Sequence, residues 1–237
     1  MDSLQAQLRY NLQAVRSSIE TASGDQAVTL VCVTKYVPFE HAAALVEAGA
    51  EHLGENLLPQ ASDRFNGLRR QGLTFTGHML GPLQSRRVRL CAETCDFHQA
   101  LERPEIARKL DAELSLLKRS MDVLIQVDVS DEGSKHGIKA ASLDSFMEQM
   151  APLTRLRLRG LMCIPPAPSC FASSRVYEAQ TRNSFRQMAR LFARMQAGYP
   201  ELPIDTLSMG MSGDYRWAIE EGATMVRIGR ALFEGLS

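Results

Sequence analysis

The feature that most constrains this chain is a regular alternation between short apolar runs rich in β-branched residues and longer segments of helical periodicity. Such alternation predicts a parallel sheet whose strands are joined by helical crossovers. The predicted strands are residues 28–34, 52–55, 75–80, 95–98, 123–129, 158–164, 206–211 and 225–228. Apolar stripes predict helices within residues 102–118, 175–197 and 214–221.

A strand series of this length favours a closed (β/α)8 TIM barrel over the alternative, an open doubly wound sheet. The open sheet normally has a glycine-rich loop after its first strand, whereas here that strand is followed by Lys35-Tyr36. Leu4, Leu8 and Leu12 recur at helical spacing and predict an extra N-terminal helix. No linker or repeat interrupts the 237 residues, so we expect one domain over residues 1–237.

Charge and apolar patterning restrict the partners that we expect. Lys plus Arg and Asp plus Glu both total 27, so no net charge attracts the chain to nucleic acid or to an anionic membrane. Neither a signal-type apolar run nor a membrane-length one is visible. We therefore expect a cytoplasmic protein with a small-molecule partner, without a nucleic-acid or membrane partner.

The cysteines do not suggest a metal centre. There are five, an odd number, and Cys32 and Cys163 lie within apolar runs, which is typical of buried reduced thiols. Cys91 and Cys95 are four residues apart with His98 nearby, but no second ligand pair stands at zinc spacing. We expect no metal site.

The chemistry of a (β/α)8 barrel lies at the C-terminal ends of its strands. Lys35 follows the first predicted strand directly, where an amine is either a solvated strand end or a nucleophile. Arg227 lies between Val226 and Ile228 in the last strand, so its side chain is predicted to point away from both neighbours.

Two glycine-containing turns follow the last two predicted strands. Residues 208–214 contain two glycines and two serine hydroxyls, and Gly229 precedes Arg230 at the next helix start. Backbone N–H groups in such turns bind phosphate, and the loops after strands seven and eight are the usual phosphate site of these barrels. Ordinary glycine turns are the alternative. His78 alone is more typical of a core histidine.

Seven blocks, in order and spanning nearly the whole chain, carry a family resemblance: VCVTKYVP, AGAEHLGENLLPQ, GHMLGPLQSRR, VLIQVDVSDEGSKHGI, RGLMCIP, LSMGMSGD and MVRIGRALFEG. In these blocks the chain resembles the YggS/PROSC-type pyridoxal phosphate homeostasis proteins. The resemblance implies a barrel similar to the N-terminal domain of bacterial alanine racemase, without that enzyme's C-terminal β-domain.

The resemblance also implies a cofactor, pyridoxal 5′-phosphate (PLP), and roles for particular residues. It implies that Lys35 forms the Schiff base and that Arg227 faces the pyridine nitrogen. The implied phosphate-binding groups are Ser208, Met209, Ser212, Gly229 and the backbone of Arg230, and Asn56 and His78 are implied to line the cofactor pocket.

The chain departs from the usual family pattern at several positions. Gly77 stands where the family often has Trp, and Arg86 and Arg87 replace a common Asn-Lys pair. Arg230 replaces a Thr or Ser, so a hydroxyl is lost beside the implied phosphate site. Asp128 replaces the commoner Asn.

From these features we expect a monomeric PLP-binding protein that buffers or delivers the cofactor in vitamin B6 and amino-acid homeostasis, with apo PLP enzymes as recipients. Whether the chain is also an enzyme stays open. One alternative is a weakly active PLP-dependent amino-acid racemase that uses Lys35 as its base. Another is a Schiff-base aldolase for a phosphorylated sugar, which predicts no bound chromophore.

Overall fold

The computed structural model describes residues 3–129 and 136–236, so residues 130–135 of the fourth resemblance block lie outside the described residues. Nine parallel strands are present in this part of the chain: β1 Thr29–Val33, β2 His52–Glu55, β3 Thr76–Met79, β4 Phe97–Leu101, β5 Met121–Asp128, β6 Ile138–Lys139, β7 Leu156–Met162, β8 Thr206–Ser208 and β9 Met225–Ile228.

Eight of these strands form a closed ring. Their order is β4-β3-β2-β1-β9-β8-β7-β5, and pairing between β4 and β5 completes the circle. The two-residue β6 pairs with β5 outside the ring and was not predicted. The prediction of a (β/α)8 barrel is confirmed, and the open sheet is excluded because the sheet closes on itself.

Helices cover the outside of the ring. They are α1 Ser3–Ser23, α2 Phe39–Glu47, α3 Leu58–Arg70, α4 Val88–Thr94, α5 Pro104–Leu116, α6 Leu143–Met150, α7 Ser174–Gly198 and α8 Tyr215–Glu220. The predicted N-terminal helix is confirmed as α1, which buries Leu8, Leu12, Val15 and Ile19. Among residues 3–129 and 136–236, no helix combines the length and apolar character needed to cross a bilayer.

The fourth strand lies further along the chain than the predicted 95–98. Cys95 still belongs to the end of α4, because its N–H donates a hydrogen bond of 2.9 Å to the carbonyl of Cys91. The strand therefore runs over Phe97–Leu101, and its pairing with β5 shifts register between His98 and Leu101. This correction places Gln99 inside a barrel strand.

Two apolar clusters divide the core. The large one fills the layer between strands and helices, and the small one, which includes Val31, Phe97, Leu124 and Met162, belongs to the barrel interior. A Cβ at Gly54 would lie 2.6 Å from the Leu80 side chain, so the interior is packed to contact there. The barrel is a filled core, and space for a ligand is left at its ends.

Helix α1 ties the last part of the chain to the barrel. The Asn11 amide donates hydrogen bonds of 3.1 Å and 2.9 Å to the carbonyls of Leu232 and Glu234. The Ser18 and Tyr215 hydroxyls lie 2.7 Å apart. The Asn11 bonds hold the segment that follows β9, where one of the predicted phosphate turns lies, and the Ser18 contact holds α8.

Candidate functional site

A cavity of about 1040 Å³ opens at the C-terminal ends of the barrel strands. Residues within or just after the C-terminal ends of β1, β2, β3, β5, β7, β8 and β9 line it, together with the first turn of α7. The lining includes Lys35, Tyr36, Asn56, Gly81, Gln126, Tyr177, Ser212, Gly213, Asp214, Arg227, Gly229 and Arg230. Its position matches the end of the barrel at which these folds place their chemistry.

Lys35 reaches this cavity from the loop after β1 and is partly buried. Its Nζ lies 4.6 Å from the centroid of the Tyr36 ring, which is itself 85% exposed. The Gly229 turn approaches the same strand closely, since a Cβ on Gly229 would lie 3.2 Å from the Val33 carbonyl oxygen. A primary amine and a glycine turn therefore meet at neighbouring strand ends.

The loop that carries Lys35 is held by a buried polar cluster. The Thr34 hydroxyl donates a hydrogen bond of 2.7 Å to Oε1 of Glu55, at the end of β2. Arg64 on α3 forms an ion pair with the same carboxylate and donates a hydrogen bond of 2.8 Å to the Val37 carbonyl. Burial raises the pKa of Glu55, and Thr34, Arg64 and Lys35 oppose that rise. The cluster fixes the backbone on both sides of Lys35.

Arg227 forms part of the cavity floor. Its neighbours Val226 and Ile228 belong to the outer apolar cluster, whereas the Arg227 side chain points into the barrel and is 5% exposed. Nη1 donates to the Ser208 hydroxyl at 2.7 Å, and Nη2 donates to the Cys163 carbonyl at 2.8 Å. Burial lowers the pKa of this guanidinium, which nevertheless stays protonated because arginine does so throughout proteins.

The turns after β8 and β9 form one cradle. The Met211 N–H donates to Oδ1 of Asp214 at 2.6 Å, and the Gly229 N–H donates to the Ser212 hydroxyl at 3.3 Å. Within the described residues, the N–H groups of Ser212, Gly213 and Arg230 have no acceptor in the protein. Unpaired N–H groups that line one cavity form an anion-binding surface.

A carboxylate and a phenol stand beside this cradle. Asp214 is buried and accepts a hydrogen bond of 3.0 Å from the Tyr177 hydroxyl. Burial raises the pKa of Asp214, against the Met211 N–H, the Tyr177 hydroxyl and the Arg227 charge. Burial and the neighbouring Asp214 raise the pKa of Tyr177 to about 12. Both groups shape the turn, and Tyr177 keeps its proton at neutral pH.

The structure divides the predicted site residues into two groups. Lys35, Asn56, Ser212, Arg227, Gly229 and Arg230 line the cavity.

The second group, Ser208, Met209 and His78, lies deeper and is fully buried. The Ser208 hydroxyl is engaged by Arg227 and by Gln99, and the Met209 N–H donates to the Met225 carbonyl at 3.1 Å. His78 lies in the barrel interior, stacked on Phe97 with ring centroids 4.8 Å apart.

Several residues around the site were not predicted. Gln99 forms hydrogen bonds with both Ser208 and His78. Arg64 donates a hydrogen bond to the loop that carries Lys35. Tyr177 lines the cavity from α7. Gln99 was missed because the fourth strand was placed too early in the sequence. Arg64 and Tyr177 lie on helices. The spacing of residues along a helix indicates which face a side chain is on, but it does not indicate which residue of another element that side chain contacts.

Two of the departures have local explanations. A Cβ at Gly77 would lie 2.8 Å from the Phe65 ring, so Phe65 fills the space beside this glycine. The Asp128 carboxylate, at the end of β5, lies 2.5 Å from the Lys139 ammonium group. Arg230 is exposed at the cavity wall. Nothing in the structure explains the Arg86-Arg87 pair.

Comparison with known proteins agrees with this architecture. The family model described as "Alanine racemase, N-terminal domain" matches residues 4–236. The pyridoxal phosphate homeostasis protein of Escherichia coli K12 is 40% identical over 232 residues, which cover 95% of each chain.

Solved structures show the same likeness. PipY of Synechococcus elongatus, in a structure with PLP bound, is 30% identical and superposes with a TM-score of 0.83, over 95% of this chain and 99% of PipY. Alanine racemase of Clostridium difficile, at 18% identity and a TM-score of 0.72, shares the fold over 96% of this chain and 59% of the racemase.

Proposed function

Because the chain belongs to the alanine racemase N-terminal domain family, we propose that it binds PLP in the cavity at the C-terminal ends of its barrel strands. Lys35 holds the cofactor as a Schiff base, and the protein buffers or delivers PLP in vitamin B6 and amino-acid homeostasis. One observation carries the proposal: Lys35, Arg227 and the two glycine turns line a single cavity.

Each reactive part of PLP has a counterpart in this cavity. The Lys35 amine would supply the nucleophile that holds the cofactor through its aldehyde group. The Arg227 guanidinium, anchored to Ser208 and to the Cys163 carbonyl, presents a cation from the floor toward the pyridine nitrogen.

The phosphate belongs at the turns after β8 and β9. The N–H groups of Ser212, Gly213 and Arg230, which have no acceptor among the described residues, donate to its oxygens, as in other phosphate-binding turns. The Ser212 hydroxyl, which joins the two turns through the Gly229 N–H, adds a further donor. The Arg230 side chain replaces the lost hydroxyl with a charge at the cavity wall.

Two features support a carrier over an efficient enzyme. Bound PLP supplies an electron sink that is strongest when its ring nitrogen is protonated. Arg227 carries a permanent positive charge and donates hydrogen bonds, so it favours an unprotonated ring nitrogen. Tyr177 is held protonated by burial and Asp214, which leaves it a poor base at neutral pH. A slow racemase would instead exchange deuterium at Cα of an amino acid.

The absorbance spectrum of the purified protein tests the cofactor assignment. Wild type should show a visible band that borohydride removes, leaving a reduced adduct on the peptide that contains Lys35. Lys35→Ala should lose both the band and the adduct, whereas Lys109→Ala, an exposed lysine on α5, should keep them. An adduct that persists in Lys35→Ala would refute the role of this lysine.

Delivery is tested with an apo PLP enzyme as recipient. Loaded protein is mixed with the apo enzyme in the presence of a phosphatase that destroys free PLP. Recovery of recipient activity above that reached with free PLP supports transfer, and equal recovery contradicts it. The monomeric state stays a prediction, which sedimentation of the loaded protein checks.

A further inference from the structure

A chain of side-chain hydrogen bonds runs from the cavity floor through the barrel interior. Arg227 Nη1 donates to Ser208 Oγ at 2.7 Å, and Ser208 Oγ donates to Gln99 Oε1 at 2.8 Å. Gln99 Nε2 lies 2.9 Å from His78 Nδ1, and His78 Nε2 lies 2.9 Å from His52 Nδ1. The chain links strands β9, β8, β4, β3 and β2.

The direction of the bonds in this chain follows from Arg227 at one end and from the Gln99 amide, whose Oε1 faces Ser208 and whose Nε2 faces His78. A guanidinium only donates, so the Ser208 oxygen must accept from Arg227, and its single hydrogen is free for Gln99. Gln99 then accepts through Oε1 and donates through Nε2.

The same logic sets the two histidine tautomers. Because Gln99 donates to Nδ1 of His78, that nitrogen carries no hydrogen, and the His78 proton lies on Nε2. His78 in turn donates to Nδ1 of His52. Four groups, Arg227, Ser208, Gln99 and His78, therefore donate in one sense, away from the cavity, and His52 accepts the last bond.

Because the chain is buried, breaking or reversing its hydrogen bonds is energetically costly. Ser208, Gln99 and His78 are each 0% exposed, so a bond lost within the chain is not replaced by solvent. Burial and the nearby His52 hold the pKa of His78 well below its ordinary value, which keeps this ring neutral, as the chain requires. The last member, His52, is partly exposed in a separate cavity of about 310 Å³ beside α1.

Arg227 depends on this chain of hydrogen bonds for its orientation, because none of the described residues forms an ion pair with it. Within residues 3–129 and 136–236, no carboxylate lies within 4.0 Å of its guanidinium. Its orientation is set instead by the Ser208 hydroxyl and the Cys163 carbonyl. Of these two acceptors, the hydroxyl can rotate, and Gln99 is the group that stops it from doing so.

We propose that Gln99 is a positioning residue for the cavity: by holding the Ser208 hydroxyl, it fixes the Arg227 guanidinium against the ring of the bound cofactor. The part of this inference that concerns the cofactor rests on the proposed function. The part that concerns the direction of the hydrogen bonds does not.

The first measurement uses wild-type protein without cofactor and reads the histidine tautomers from ¹⁵N chemical shifts of the rings. A hydrogen on Nε2 of His78 is expected. A hydrogen on Nδ1 would reverse the chain and overturn the proposal. This result is obtained whether or not the protein binds PLP, so it separates failure of the chain from failure of the proposed function.

The second measurement compares Gln99→Leu with Gln149→Leu, an exposed glutamine on α6. Loss of one buried hydrogen-bonding partner is expected to weaken PLP binding by on the order of tenfold and to shift the absorbance maximum of the bound cofactor. Gln149→Leu should match wild type in both. If Gln99→Leu folds and keeps wild-type affinity and spectrum, Gln99 does not position the site. If it does not fold, Gln99→Met, which also removes the hydrogen-bonding groups of this side chain, takes its place, and the same two outcomes decide.

Discussion

Nε of Arg64 lies 2.9 Å from Oε1 of Glu55, in an ion pair whose side chains are only 13% and 1% exposed. The pair joins α3 to the end of β2. Glu55 also accepts a hydrogen bond from Thr34, the residue before Lys35, so the pair is linked to the loop of Lys35. Removing one partner of an ion pair buried to this extent lowers the stability of the fold. The remaining charge keeps its desolvation penalty but loses the attraction that offset it.

Arg64→Met is therefore expected to destabilise the protein by about 3 kcal/mol, since it leaves the Glu55 carboxylate buried without its cation. Urea unfolding at neutral pH measures this change. The double variant Arg64→Met/Glu55→Gln should recover part of the loss because the buried charge is gone. Equal stability of the single and double variants would show that burial of the charge is not the cause.

Arg230→Ala is expected to weaken PLP binding by about three- to tenfold, with little effect on pyridoxal, which has no phosphate. The reason is that Arg230 lines the cavity beside backbone N–H groups that find no acceptor in the part of the chain that the structure describes. Titration of the absorbance change at low and at high salt measures the effect, which salt should reduce. Arg108→Ala, an exposed arginine on α5, is the control, and an equal loss for PLP and pyridoxal would contradict the assignment.

Ser212→Asp and Ser212→Asn form a matched pair that tests the phosphate cradle. Both side chains can accept from the Gly229 N–H, as the serine does at 3.3 Å. The aspartate adds a negative charge beside the phosphate, so PLP binding should fall by more than tenfold below that of the asparagine variant. Similar dissociation constants for the two variants would place the phosphate elsewhere.

His98→Leu is expected to reduce the acid sensitivity of the fold. Burial lowers the pKa of His98 from 6.5 to about 4, so the unfolded chain binds a proton there before the folded protein does. Stability is therefore complete above about pH 6.5 and is lost as the pH falls toward 4; the loss from this one group is about 2 kcal/mol between pH 7.5 and pH 5.

Denaturant unfolding at those two pH values measures the difference for wild type and variant. His98→Leu should lose less stability on acidification than wild type. His52 and His78 also have lowered pKa values, so some acid sensitivity should remain. An unchanged pH dependence in His98→Leu would contradict the expectation.

The parts of the site that follow from one strand were predictable from sequence. Lys35 stands next to an apolar run, and the alternation Val226-Arg227-Ile228 indicates on its own that the arginine faces the other side of the strand. The glycine turns after β8 and β9 were visible for the same reason: their chemistry is local.

The parts that depend on contacts between distant elements were not predictable. Gln99 reaches Ser208 across the barrel, from a strand whose register shifts and whose start was misplaced by the helical character of Cys95. The buried position of Ser208 follows from these same contacts, since a residue at a strand end can face either the cavity or the interior. Tyr177 reaches Asp214 from the first turns of a 25-residue helix, and sequence spacing does not give its depth.

The pairing of Val31 with Arg227 joins the first barrel strand to the last. Lys35 and Arg227 therefore take up their relative positions only when β9, the last of the strands along the chain, has paired with β1. A ribosome-bound chain that lacks β9 holds the amine without its opposing cation and without the final turn. Loading with PLP is therefore expected only after β9 has paired with β1, and uptake of the chromophore during refolding would time that pairing.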